Sequence, residues 1–121
     1  MIKDWQDYMK SLSPQLKELR GAVPEVMKGF SSIAQAALKA NALDVKTKEL
    51  IATAIGVAIR CDACIAYHVK AAIEAGATRE ELMETLGMAV YMGAGPSVMY
   101  AAHAVEAMGQ LEKKKAEPAK R

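Results

Sequence analysis

This sequence predicts an all-α, single-domain fold of about six helices, on the strength of three observations. Alanine supplies about a fifth of the 121 residues and methionine eight, while only 5% of the chain is aromatic, so its apolar mass is small, unbranched and helix-favouring. No stretch of useful length alternates apolar and polar residues as a half-buried strand would. Helix caps and breakers, by contrast, recur at short intervals. With 52% apolar and 25% charged residues, the composition is that of an ordinary globular chain, and the length is that of one domain, which excludes a multi-domain enzyme.

The first element, Lys3 to Leu12, places Trp5, Tyr8, Met9 and Leu12 at helical spacing, and Ser13-Pro14 is expected to stop it. A short helix from Pro14 to Arg20 follows, closed by Gly21. Pro24 suits a first helical position, so a third helix is expected to run to about Ala40, with Val26, Met27, Phe30, Ile33, Ala34, Ala37 and Leu38 on its buried side. Asp44 can cap a helix that is apolar nearly all round from Leu50 to Ile59, as a central helix would be. After a break at residues 60–62 comes a helix bearing Cys64, Ile65, His68 and Ile73, which Gly76 terminates in the position that favours a left-handed residue. Thr78 and Glu81 form a capping box ahead of Leu82, Leu86 and Met92. Gly93-Ala-Gly-Pro96 reads as a tight turn, and a last helix runs to about Lys113. The chain thus divides into an N-terminal helical extension, 1–23, a helical domain, 24–112, and a basic flexible tail, 113–121.

The net charge of +2 comes from that tail, since five of the sixteen basic residues fall in the last nine positions. The body offers no basic face of the kind a nucleic-acid partner requires. A membrane span needs roughly 20 residues; the apolar run 50–59 is too short, and the uncharged run 86–102 is broken by Gly93, Gly95 and Pro96. Two cysteines are too few for a disulfide scaffold, and no charged segment followed by an apolar stretch opens the chain. The expectation is a cytoplasmic protein.

Chemistry concentrates at Cys61, Cys64 and His68. On a helix beginning at the first cysteine, these positions share one stripe. A helix N-terminus favours the thiolate, and His68 lies one turn from Cys64, close enough to act on its proton. Cα atoms three apart on a helix are about 5 Å from each other, within disulfide range, so a reversible Cys61–Cys64 bridge is sterically cheap. Three other readings compete. The cysteines could be inert core residues. They could hold zinc with His68, although only Glu49 or His103 is available as a fourth ligand. A thioredoxin-like site would need a preceding strand, and here the preceding segment reads as helix. Covalent haem attachment is excluded, because Ile65 stands where the histidine must be. His103, among Met99, Tyr100 and Met108, reads first as a satisfied interior or interface histidine. Met83, Met88, Met92 and Met99 read as core or interface packing.

The spacing Glu49-x11-Cys61-Asp-Ala-Cys64-x3-His68 resembles the signature of the alkylhydroperoxidase AhpD-like proteins within the carboxymuconolactone decarboxylase family, and Ala75-Gly-Ala-Thr-Arg-Glu-Glu-Leu82 and Met92-Gly-Ala-Gly-Pro96 are similar to that family too. The similarity covers about Val45 to Met108. It implies an all-α fold, disulfide-type peroxidase or reductase activity without metal or cofactor, and trimers or hexamers. By resemblance, Cys64 is the cysteine oxidised to a sulfenic acid, Cys61 the partner that closes the disulfide, and Glu49 with His68 the proton relay. The helix dipole alone favours Cys61 as nucleophile, whereas proximity to His68 favours Cys64. Where the peroxidases carry a second histidine directly before the second cysteine, this chain has Ala63, so part of the relay is missing. The implied substrate is a hydroperoxide and the implied reductant an external dithiol or protein thiol. The alternatives are a decarboxylase-type lyase and a non-enzymatic zinc or thiol binding module.

Oligomerisation is expected on physical grounds as well. A chain this short buries only about two-thirds of its unfolded surface, yet it has apolar runs at 50–59 and 86–102 and a Trp/Tyr/Met-bearing start. A homohexamer is the first expectation and a trimer the second, with the segment around Trp5 as one candidate contact.

Overall fold

The computed structural model describes residues 1–116 and contains five helices: α1 (Trp5–Ala22), α2 (Pro24–Leu38), α3 (Val45–Ala58), α4 (Asp62–Glu74) and α5 (Arg79–Ala116). No strand occurs among the described residues. The caps fall where the sequence puts them. The Asp44 carboxylate accepts from the Thr47 N–H at 2.7 Å. Thr78 and Glu81 exchange the two bonds of a capping box, and Gly76 is left-handed at φ 95°.

Helices α3, α4 and α5 pack together as the centre, with α1 laid against α4 and α5 and α2 attached at the side. The core is formed by Val57 of α3, Ile65, Val69 and Ile73 of α4, Leu82, Leu86, Met108 and Leu111 of α5, and Trp5 and Met9 of α1.

Taken element by element the sequence marks seven helices, and Pro14 is where the structure has one fewer. Pro14 does not end the first helix, which continues through it to Ala22. Proline removes one N–H and so frees the Lys10 carbonyl, but Lys10 and Pro14 are both exposed and water can take that carbonyl. The turn expected at 93–96 is present as a sharp break at Ala94, with φ 54° and ψ −141°, so that α5 is two helices meeting there. Gly93 is needed there, because a Cβ on it would overlap the Ser97 Oγ. At the far end α5 runs to Ala116, three residues past the expected end, and the Lys115 Nζ donates to the Ile73 carbonyl at 3.0 Å. The rest of the basic tail, residues 117–121, lies outside the described residues.

Two expectations about burial are overturned. The apolar face of α2 is not buried: Val26, Phe30 and Ile33 are 68%, 64% and 69% exposed and Met27, Ala34 and Leu38 only half-buried, because α2 meets only α1 and α3. The Trp5 side chain itself is not available as a contact. Trp5 is 0% exposed within its own chain, its ring edge-on to Tyr8 and its indole N–H donating to Glu106 at 3.0 Å. An indole covered on every side by its own chain has nothing left to offer a second subunit.

Candidate active site

The approach to the site begins at the end of α3. The Cys61 N–H donates to the Gly56 carbonyl at 2.9 Å and the Arg60 N–H to the Val57 carbonyl at 3.1 Å, the pair of bonds that closes a Schellman motif. Arg60 takes the left-handed position, φ 62°. The next residue, Cys61, is already the N-cap of α4, and its Sγ accepts from the Cys64 N–H at 3.1 Å. One residue of reversal thus separates two helices, which therefore run antiparallel. They also lie close together: a Cβ on the buried Gly56 would sit 3.1 Å from the Cys64 Cβ.

Cys61 and Cys64 form a disulfide across the first turn of α4, with Cα atoms 5.2 Å apart. One turn further along, His68 reaches back to α3, where its Nδ1 lies 2.7 Å from the Glu49 Oε1. Glu49 is 6% exposed and His68 half-buried. The carboxylate is placed by the antiparallel pairing, so two residues 19 positions apart in sequence meet at one level. An Nδ1–H donated to Glu49 leaves Nε2 as the ring's basic nitrogen. All four residues singled out from the sequence therefore lie on the α3–α4 pair, as a disulfide at the turn that joins the helices and a carboxylate–imidazole pair that bridges them farther along.

Of the two side chains available as a fourth zinc ligand, Glu49 is engaged by His68 and His103 by Asp62, with the His103 Nδ1 3.0 Å from the Asp62 Oδ1. Among the described residues no group of three or more His, Cys, Asp or Glu is arranged to hold a metal ion.

A second polar cluster, which sequence reasoning missed, adjoins the first. Asp62, between the two cysteines in sequence, accepts from Lys3 Nζ at 2.8 Å as well as meeting His103. Burial pushes its carboxyl up, but hydrogen bonds from Lys3 and His103, with their charges, outweigh this and hold it below the usual aspartate range. No local spacing signals this cluster, because its members are 59 and 41 positions apart.

A helical pair that presents Glu49, Cys61, Cys64 and His68 in this way defines a class of small all-α proteins with a disulfide at a helix N-terminus. The profile of the carboxymuconolactone decarboxylase family matches residues 24–107, and the chain belongs to that family. It is similar to a family member from Legionella pneumophila, whose crystal structure in the apo form matches with a TM-score of 0.85 at 55% identity over 88% of this chain and 96% of that one. A family protein from Thermotoga maritima, for which a part in an antioxidative response has been suggested, matches with a TM-score of 0.77 at 30% identity over 87% of this chain and 92% of that one. An uncharacterised protein of Cupriavidus necator is 36% identical over 105 residues, covering 87% of this chain and 93% of its own length.

Proposed function

We propose that this protein is a thiol-dependent hydroperoxide reductase that works in the cytoplasm through the Cys61–Cys64 couple. The observation that carries the reading is the disulfide at the N-terminus of α4 with the Glu49–His68 pair one turn beyond it. The antioxidative role suggested for the Thermotoga maritima relative supports it.

In the reduced protein, His68 takes the proton of the Cys64 thiol while Glu49 holds the ring by Nδ1. The Cys64 thiolate attacks the distal oxygen of the hydroperoxide. A sulfur–oxygen bond forms, the oxygen–oxygen bond breaks, and the alcohol leaves after taking the proton back from His68. Cys61 then attacks the sulfenic sulfur; the sulfur–sulfur bond forms, the sulfur–oxygen bond breaks, and the oxygen leaves as water with the proton that the Cys61 thiol gives up. An external dithiol or protein thiol reduces the bridge by exchange. No metal or cofactor enters any of these steps.

We further infer a homo-oligomer, a hexamer first and a trimer second. Two unpartnered apolar surfaces support it: Val26, Phe30 and Ile33 on α2, and Ile51 and Ile55 on α3 with Ile59 at its C-cap, all exposed in the single chain. Contiguous apolar area on this scale is covered by subunit contact in most soluble proteins.

Peroxide consumption by the pre-reduced protein tests the reading, with one hydroperoxide expected to disappear per disulfide formed. Peroxide left untouched, or thiols blocked by stoichiometric zinc in protein purified without chelator, would sink it. The family match also favours a lyase acting on a muconolactone-like substrate. That activity would survive replacement of both cysteines by serine.

A further inference from the structure

The polar cluster centred on Asp62 has no part in the steps above, yet it is built as closely as the relay. Asp62 is the first residue of α4, directly after Cys61. Both its oxygens are engaged, Oδ2 by Lys3 Nζ at 2.8 Å and Oδ1 by His103 Nδ1 at 3.0 Å. The donors come from opposite ends of the chain and are themselves held. The Lys3 N–H donates to Glu106 at 2.7 Å and the Lys3 carbonyl accepts from Gln110 at 2.8 Å. The Lys3 ammonium stands 4.1 Å from the centre of the Tyr8 ring, and the His103 ring lies against Tyr100 and Trp5. These are half-buried side chains in fixed positions, not a solvated surface pair.

A carboxylate inside a Cys-x-x-Cys turn works against the thiolates on either side of it, since like charges at short range disfavour ionisation. A cation held on that carboxylate cancels the effect. We propose that Lys3 and His103, acting through Asp62, are positioning residues for the Cys61–Cys64 couple, a charge-balanced brace that fixes the first turn of α4 and sets how readily the reduced pair ionises. The proposal rests on the reading of this pair as redox-active. The other charged or titratable groups are Arg60 in the turn and the Glu49–His68 pair on the side of the couple, and Tyr8, Tyr100 and Glu106 against Lys3 and His103; each keeps its identity in every variant.

The brace predicts shifts of opposite sign. Asp62→Asn leaves the Lys3 ammonium unopposed, so the pH midpoint of thiol alkylation falls and the disulfide becomes more oxidising, by about tenfold in its exchange equilibrium with glutathione, or about 30 mV. Lys3→Met leaves the carboxylate under-compensated and moves both quantities the other way by a similar factor. Lys3→Arg restores wild-type values, and the double variant Lys3→Met, Asp62→Asn returns to within about twofold of them. His103→Asn, whose amide replaces the Nδ1 donor, shifts in the same direction as Lys3→Met but less.

The experiment is a glutathione redox titration of the full-length protein read by mass spectrometry, with iodoacetamide alkylation against pH on the same variants. Opposite shifts that cancel in the double variant establish the brace. Shifts of one sign, as loss of packing alone would cause, or shifts under twofold in both single variants, overturn it. Wild-type protein that forms no reversible disulfide across the titration overturns the redox reading itself, a result distinct from a clean wild-type titration with unmoved variants. A variant that fails to fold is replaced by the double variant, whose departure from wild-type values by tenfold or more counts against the brace.

Discussion

Replacing Glu49 by Gln is the sharpest single perturbation of the relay, because it removes a charge and keeps a shape. The glutamine oxygen can accept from His68 Nδ1 where the Glu49 carboxylate now sits, 2.7 Å away, and a neutral group at a position 6% exposed removes a desolvation cost rather than adding one. Folding should be unharmed. The lost quantity is the difference between a hydrogen bond to a charged group, about 1.5–3 kcal/mol, and a neutral one, about 1 kcal/mol. That difference of about 0.5–2 kcal/mol converts, at about 1.4 kcal/mol per pH unit, to a rise of about 0.4–1.4 units in the reactive limb of the alkylation profile. At neutral pH, alkylation of Cys64 should then slow by about two- to twenty-fivefold. The assay is iodoacetamide labelling of the reduced protein against pH, read by mass, with thermal unfolding as the control. Because Glu49 acts through the ring, Glu49→Gln combined with His68→Gln should be no slower than His68→Gln alone. Superimposable profiles for wild type and Glu49→Gln, or full additivity in the double variant, would refute the relay.

Gly93→Ala should destabilise the fold by about 1–3 kcal/mol, since the new Cβ overlaps the Ser97 Oγ and lies 2.9 Å from the Ser97 Cβ; urea unfolding reads the loss, and Ser97→Gly in the same chain should restore it. Acid should loosen the N-terminal segment. The Ile2 backbone N–H, then the Lys3 N–H and the Trp5 indole, hold the Glu106 carboxyl below its ordinary value of 4.5 against desolvation. The unfolded chain therefore binds the proton more tightly, and the Glu106 contribution is fully present above about pH 4.5 and lost as pH falls through the lowered folded value. Glu106→Gln should flatten that part of the melting-temperature profile, and an unchanged acid limb would count against it. Light scattering at micromolar concentration should give a mass well above the 13.0 kDa of one chain, and Phe30→Glu with Ile33→Glu should lower it; a wild-type monomer would contradict the oligomer.

What the sequence made legible was local. Asp44, Gly76 and the Thr78–Glu81 pair mark helix ends because each satisfies its own backbone groups within four residues, and tertiary context leaves such devices alone. Cys61, Cys64 and His68 were legible as one stripe for the same reason. Pro14 misled because the rule that proline stops a helix assumes the freed carbonyl needs a partner, and on the exposed side of α1 water serves. Helix α2 misled because periodicity reports an apolar face without saying what covers it. The meeting of Glu49 with His68 depended on the pairing of two helices through a single left-handed residue, Arg60, where glycine would be the usual signal. The Lys3–Asp62–His103 cluster joins residues from three distant parts of the chain, and nothing short of the fold could display it.

The central claim is that Cys64 meets the hydroperoxide and Cys61 closes the bridge. Its most direct test is mass spectrometry of the reduced cysteine variants after one equivalent of hydroperoxide with dimedone present as a sulfenic-acid trap. The expected result is a dimedone adduct on Cys64 in the Cys61→Ser protein and no peroxide consumption by the Cys64→Ser protein. Consumption of peroxide by Cys64→Ser at close to the wild-type rate, with the oxidised sulfur found at Cys61, would contradict it.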